Sequence, residues 1–126
     1  MKDFENYRRE ASDKWGDTAA YKEYEGKTKG YTKVKWDALS NGMSGIFARF
    51  SECMSEGAAP ESPKAQNLVK TLQNHITENY YLCTNEILAG LGKMYVADER
   101  FKNYIDRGAD GTARFVCKAI EVFCKE

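Results

Sequence analysis

The sequence predicts an all-α domain, and three observations carry that reading. Apolar residues recur at spacings of three and four along most of the chain, which places them on single helix faces. The strict alternation of a half-buried strand is nearly absent. The only two prolines, Pro60 and Pro63, fall in one loop and leave the other periodic stretches unbroken.

The elements follow in order. Phe4, Tyr7, Ala11 and Trp15 share one face of a first helix, which Gly16 can end. Asp17 or Thr18 can cap a second helix through Tyr21 and Tyr24, fraying near Gly26 and Gly30. Thr32 caps the longest helix, where Trp36, Leu39, Met43, Ile46, Phe47, Phe50, Cys53 and Met54 form a wide apolar stripe. Gly42 and Gly45 lie within it, each lowering helix propensity by about 1 kcal/mol relative to Ala. They permit a close helix contact or mark a bend.

Gly57 to Ser62 is the clearest loop, and Ser62 with Pro63 reads as an N-cap with proline at the first helical position. Ala65, Leu68, Val69, Leu72, His75 and Ile76 then mark one face of a helix reaching about Glu78. Thr84 caps a helix carrying Ile87, Leu88, Leu91, Met94 and Tyr95, with Glu86 in its first turn, where a carboxylate suits the helix dipole. Asp98 caps a short helix with Phe101, Tyr104 and Ile105, and Gly108 and Gly111 flank a turn. The last helix, about Thr112 to Cys124, is apolar around nearly its whole girth, which predicts deep burial.

At 126 residues the chain has room for one domain and one core, so 1–126 is read as a single unit. A formal net charge of zero argues against direct contact with nucleic acid, which needs a surplus of Lys and Arg on one face. No window approaches a membrane span and MKDFENYRRE is no signal peptide, so the expected location is the cytoplasm. The four cysteines, Cys53, Cys83, Cys117 and Cys124, form no CxxC pair, and the single histidine is not at finger spacing from them. They read as reduced, buried, small apolar residues, with no metal and no cofactor implied.

The N-terminal third differs in kind. Before Leu39 there is no Leu, no Ile and one Val, Val34; the apolar content is Trp, Tyr, Phe and Ala among many charges. Such a segment buries little aliphatic surface of its own. Two readings stay open: residues 1–36 are a mobile lid over a helical core of 37–126, ordered by a ligand, or a plain helical hairpin docked on that core.

Two separated sets of residues resemble a known family. The first is Tyr7 and Glu10, then WGDTAAY (Trp15 to Tyr21), Tyr31 and Trp36. The second is Tyr81, Cys83 and Glu86, then LGKMY (Leu91 to Tyr95), DERF (Asp98 to Phe101), Ile105-Asp106 and the apolar helix around Ala119-Ile120. Together they are similar to the TipAS domain, the antibiotic-recognition domain at the C-terminus of some MerR-family transcriptional regulators. The resemblance implies a compact globin-like bundle of about six to seven helices without haem. It also implies a cleft for bulky hydrophobic molecules, thiopeptides and other peptide-like antibiotics among them. Binding there switches the attached regulator or removes the drug from circulation. The family's usual helix-turn-helix and coiled coil have no counterpart pattern in this sequence, so the chain is expected to be a free-standing binding domain or an excised C-terminal portion. One departure bears on mechanism. In the thiopeptide-responsive member a second cysteine follows the one matching Cys83 by seven residues, where dehydroalanine groups can alkylate it; here Gly90 stands there, so binding is expected to be reversible.

A site for a large ring-rich ligand needs flat aromatic walls and a few fixed polar groups. The wall candidates are Trp15, Tyr21, Trp36, Phe50, Tyr80, Tyr81 and Tyr104, each of which is otherwise a core residue at helical spacing. Tyr80, Tyr81 and Tyr104 are placed toward the cleft. Met94 joins them, and Gly90 with Gly92 leaves a notch for a ligand or a neighbouring helix. His75, on the stripe with Leu68, Leu72 and Ile76, is a satisfied half-buried histidine, a hydrogen-bond donor to a ligand, or a haem ligand. Two other readings accompany the sensor: a haem or tetrapyrrole protein, and an interaction module accepting a partner helix. No nucleophile–base pair, metal-ligand cluster or P-loop is present, so no enzyme is expected; GLGK lacks the P-loop spacing.

Overall fold

A computed structural model describes residues 18–125. The first expected helix, on Phe4, Tyr7, Ala11 and Trp15, lies outside the described residues. Within them six helices follow one another and no strand occurs: α1 (Ala19–Thr28), α2 (Lys33–Ser55), α3 (Pro63–Asn79), α4 (Asn85–Ala97), α5 (Glu99–Ile105) and α6 (Thr112–Lys125).

Five helix starts are set by the side chains that the sequence offered for them. The hydroxyls of Thr18, Thr32, Ser62 and Thr84 accept from the backbone N–H groups of Tyr21, Lys35, Ala65 and Ile87, and the Asp98 carboxylate accepts from Arg100. Each such cap stabilises by about 1 kcal/mol, because it satisfies a donor the helix cannot. At the far end of α2, Gly57 sits at φ +86°. Its N–H donates to the Met54 carbonyl at 3.0 Å, and that of Ala58 to the Cys53 carbonyl at 3.2 Å. This pair of bonds is the Schellman arrangement, for which glycine is the least strained residue.

Helix α6 is the centre. Thr112, Ala113, Phe115, Val116, Cys117, Ala119 and Ile120 are all buried on it, and it packs against α2, α3, α4 and α5. The contact with α4 is the most extensive and depends on Gly92: a Cβ there would lie 3.3 Å from the Ile120 side chain, which is itself fully buried. Helix α2 crosses α3 and α6, bringing Phe50 against Phe115 at 6.4 Å between ring centroids. The aliphatic floor comes from α3, through Val69, Leu72 and Ile76. The corner from α5 into α6 is pinned by polar groups: Asp106 Oδ1 accepts from the Ala113 N–H at 2.8 Å, and the buried hydroxyls of Ser51 and Thr112 lie 2.8 Å apart. Helix α1 contributes nothing to this core; it lies across the end where α2 begins and α3 finishes.

Candidate functional site

Where α1 meets the core, the sequence supplies rings rather than aliphatic side chains, and the structure gathers them. Trp36, one turn into α2, and Tyr80, the residue that ends α3, stack at 6.2 Å with their planes 29° apart. Tyr24 of α1 meets both edge-on, at 6.4 Å from Trp36 and 6.2 Å from Tyr80, and Tyr21 packs behind it. Tyr31, in the link between α1 and α2, sets its ring against Trp36 at 5.5 Å. Edge-to-face geometry suits the ring quadrupoles, and each such pair adds about 0.5–1.5 kcal/mol beyond area burial.

Polar bonds to the main chain position this assembly. The Tyr31 hydroxyl donates to the Asn79 carbonyl at 2.6 Å, and Lys27 Nζ donates to the Thr77 carbonyl at 2.8 Å. Both acceptors belong to the last turn of α3, whose carbonyls have no partner within the helix. In the other direction the Leu82 N–H donates to Glu23 Oε1 at 3.1 Å. Gln73 steadies the loop from the far side, donating to the Cys83 carbonyl at 2.9 Å. Lys35 lies over the Tyr31 ring, 5.4 Å from its centroid.

Beneath Tyr80 lies His75, its ring edge-on to the tyrosine at 6.0 Å. The imidazole rests against α2 where Gly42 leaves the backbone bare; a Cβ there would come within 3.0 Å of Cε1. Burial disfavours the charged ring and lowers its pKa from the ordinary histidine value; the Leu39 carbonyl and Glu78 oppose that, and Lys35 adds to it. The Nε2 atom is buried and has no hydrogen-bond partner among the described residues. Tyr80 is affected in the opposite sense: burial, then the phenols of Tyr24, Tyr31 and Tyr104, hold its hydroxyl neutral up to about pH 12.

Tyr104, on α5, packs against α2 farther along. Its hydroxyl and that of Ser44 form a hydrogen bond, its ring meets Phe47 edge-on at 6.2 Å, and the Arg107 guanidinium covers it at 4.5 Å.

The expected site residues therefore divide. Trp36, His75, Tyr80 and Tyr21 come together, with Tyr104 near enough to influence the Tyr80 phenol. Tyr81 is half-buried against the core in the adjoining loop, and Met94 is half-buried on α4. Phe50 is not a wall: it is 0% exposed and packs on Phe115 in the heart of the core. The glycine notch splits as well, Gly92 being filled by Ile120 while Gly90 faces open space. Trp15 lies outside the described residues. Sequence reasoning passed over Tyr24 and Tyr31, which join this ring assembly. Their signal was present in the segment without aliphatic residues, where rings are the only means of packing.

Among the described residues no helix is long and apolar enough to cross a membrane, and no group of three or more His, Cys, Asp or Glu side chains could hold a metal ion.

Comparison with known proteins assigns a family to this arrangement. The model of the TipAS antibiotic-recognition domain matches residues 7–123. The HTH-type transcriptional activator TipA of Streptomyces coelicolor is 34% identical over 118 residues, spanning 94% of this chain and 47% of that protein. The HTH-type transcriptional activator mta of Bacillus subtilis is 31% identical over 128 residues, 98% of this chain and 49% of its own length. The chain thus spans about half the length of these curated relatives. A solved structure of TipAS in complex with nosiheptide, from a thiopeptide antibiotic multidrug resistance system of Streptomyces lividans, superposes with a TM-score of 0.86 at 32% identity, covering 96% of this chain and 85% of that one. The all-helical fold expected from the sequence and the match along nearly its whole length lead to one conclusion: the chain belongs to the family of TipAS antibiotic-recognition domains.

Proposed function

We propose that this chain is a non-enzymatic sensor that reversibly binds bulky, hydrophobic, peptide-like antibiotics or related effectors. It would serve in the cytoplasm as the ligand-sensing part of a MerR-type regulator or as a free drug-sequestering protein. The observation that carries this is the close likeness to a domain solved with nosiheptide, at an identity high enough to extend beyond fold. The ring assembly on Trp36 and Tyr80 supports it, since stacked heteroaromatic rings need flat partners.

Any DNA contact is assigned to a separate helix-turn-helix half, because this sequence has no net positive charge with which to neutralise phosphates. Capture is reversible. Burial, with Cys124 nearby, pushes the Cys83 thiol up to about 11, so almost none is thiolate at neutral pH, and Gly90 stands where a second thiol would be needed. Residues 1–36 act as a lid on this reading, with 1–17 outside the described residues.

The test is a thermal shift with nosiheptide and a panel of related macrocycles. At a ligand concentration of 100 Kd the stabilisation is about 2.7 kcal/mol. No shift with any member of the panel overturns the antibiotic reading. Hydrogen exchange with and without ligand checks the lid: protection of residues 18–36 rises on binding, and equally strong protection in both states removes that role.

A further inference from the structure

We propose that His75 is the hydrogen-bond acceptor through which the aromatic face recognises an N–H or O–H donor on its ligand, reached when the Tyr80 ring gives up its place over the imidazole. The proposal rests on the binding reading above and adds which polar group does the recognising.

The first support is the orphaned nitrogen. Buried polar atoms in folded proteins nearly always have a partner, and one without a partner calls for an explanation. His75 Nε2 is buried and has none among the described residues. The second is the state of the ring. The Leu39 carbonyl acts on the imidazole as a hydrogen-bond acceptor. On this proposal Nδ1 carries the proton and faces that carbonyl. The neutral tautomer then leaves Nε2 as a bare lone pair, able only to accept. The ring is also held in place, because Gly42 lets it lie directly on the α2 backbone, with Cε1 3.0 Å from where a Cβ would be.

The third support is the cover. Tyr80 leaves the helix at φ −122° and ψ −60°, and among the described residues its side chain is held by ring contacts with Tyr24, Trp36 and His75 rather than by a hydrogen bond. A ligand ring can take over such contacts one for one. A planar ring or amide entering that position against Trp36 would bring its own donor to Nε2, which the tyrosine ring edge does not satisfy. The charged groups that bear on His75 are Lys35 from α2 and Glu78 from α3, and the ring of Tyr80 lies edge-on to it. Protonation of the ring would turn Nε2 into a donor, and the recognition would be lost with acid.

The experiment uses the whole chain, with nosiheptide as probe. His75 is the sole histidine, so its imidazole nitrogens are unambiguous in an isotope-labelled sample. The expected spectrum shows Nδ1 protonated and Nε2 bare, with the Nε2 resonance moving upfield when nosiheptide is added. By calorimetry at neutral pH, His75→Phe weakens binding by about tenfold, the effect of leaving a ligand donor unpaired, and His75→Gln, which keeps an acceptor, recovers part of it. Wild-type affinity is flat above pH 7 and falls below the imidazole pKa by up to about tenfold per pH unit, while His75→Phe is flat throughout. If the wild type binds but His75→Phe binds equally well and the Nε2 signal stays put, the acceptor role is refuted and the binding reading stands. If the wild type binds neither nosiheptide nor any related macrocycle, both fall. Should His75→Phe fail to fold, the wild-type spectrum and the His75→Gln affinity decide between these outcomes.

Discussion

Two helices of this molecule are fixed by opposite means. Helix α6 is enclosed by α2, α3, α4 and α5 and is held by apolar surface that only unfolding could expose. Helix α1 adds no residue to that core; ring edges and bonds to the spare carbonyls at the end of α3 hold it. The contacts of α1 are separate ring pairs and single polar bonds, whereas those of α6 form one continuous buried surface. The difference teaches how unevenly the molecule is secured: an aliphatic block closed on all sides has its aromatic end covered by a helix held through ring pairs and single polar bonds. Local opening energies in proteins span this range, from near zero at lightly packed segments to the global value in the core.

The largest test strikes the block. Phe50→Ala removes a fully buried ring and should lower stability by about 3–5 kcal/mol, read as a lower urea midpoint with all helices melting together. A small loss would mean that Phe50 faces a cavity after all. Alkali comes next and acts at the aromatic end. Because the folded phenol of Tyr80 is held neutral up to about 12 against an ordinary 10, its contribution is intact below pH 10 and is lost as pH rises from there toward 12. Discounted for solvent screening, the loss is at most about 2 kcal/mol, and Tyr80→Phe should abolish that part of the alkaline slope. Tyr31→Phe breaks the bond to the Asn79 carbonyl, costing about 1 kcal/mol, and should speed amide exchange in 19–28 while leaving α6 unchanged. Faster exchange in α6 as well would show that the two regions are coupled. The smallest effect has the opposite sign: Gly90→Ala, facing open space, should add up to about 1 kcal/mol and leave nosiheptide affinity intact. A loss of affinity would show that the ligand uses the open space at Gly90.

How much of this was legible depends on the range of the interaction. Thr32, Ser62, Thr84 and Asp98 could be read as helix starts because a cap bonds to its own chain two or three residues on. The burial of α6 followed from its apolar girth alone. Phe50 and Trp36 could not be told apart, since both sit on one periodic stripe of α2 and only the partner helices decide which end of the stripe is core. Trp36 emerges beyond the reach of α6, whereas Phe50 meets Phe115. The bonds from Lys27 and Tyr31 to the end of α3 cross about fifty positions of chain, and no local pattern encodes them.

The cysteines give the contrast a clock. Cys53 is completely enclosed, Cys83 and Cys117 are buried, and Cys124 is half-exposed near the end of α6 with its thiol on the Asn85 carbonyl at 3.2 Å. Burial pushes the thiols of Cys83, Cys117 and Cys124 above the ordinary range, so an alkylating reagent meets little thiolate while the block stays closed. The order in which the four sulfurs become labelled would then time successive openings, Cys124 first and Cys53 last. The native sequence thus carries its own probes for timing the inner block separately from the aromatic end, which has no thiol among its rings.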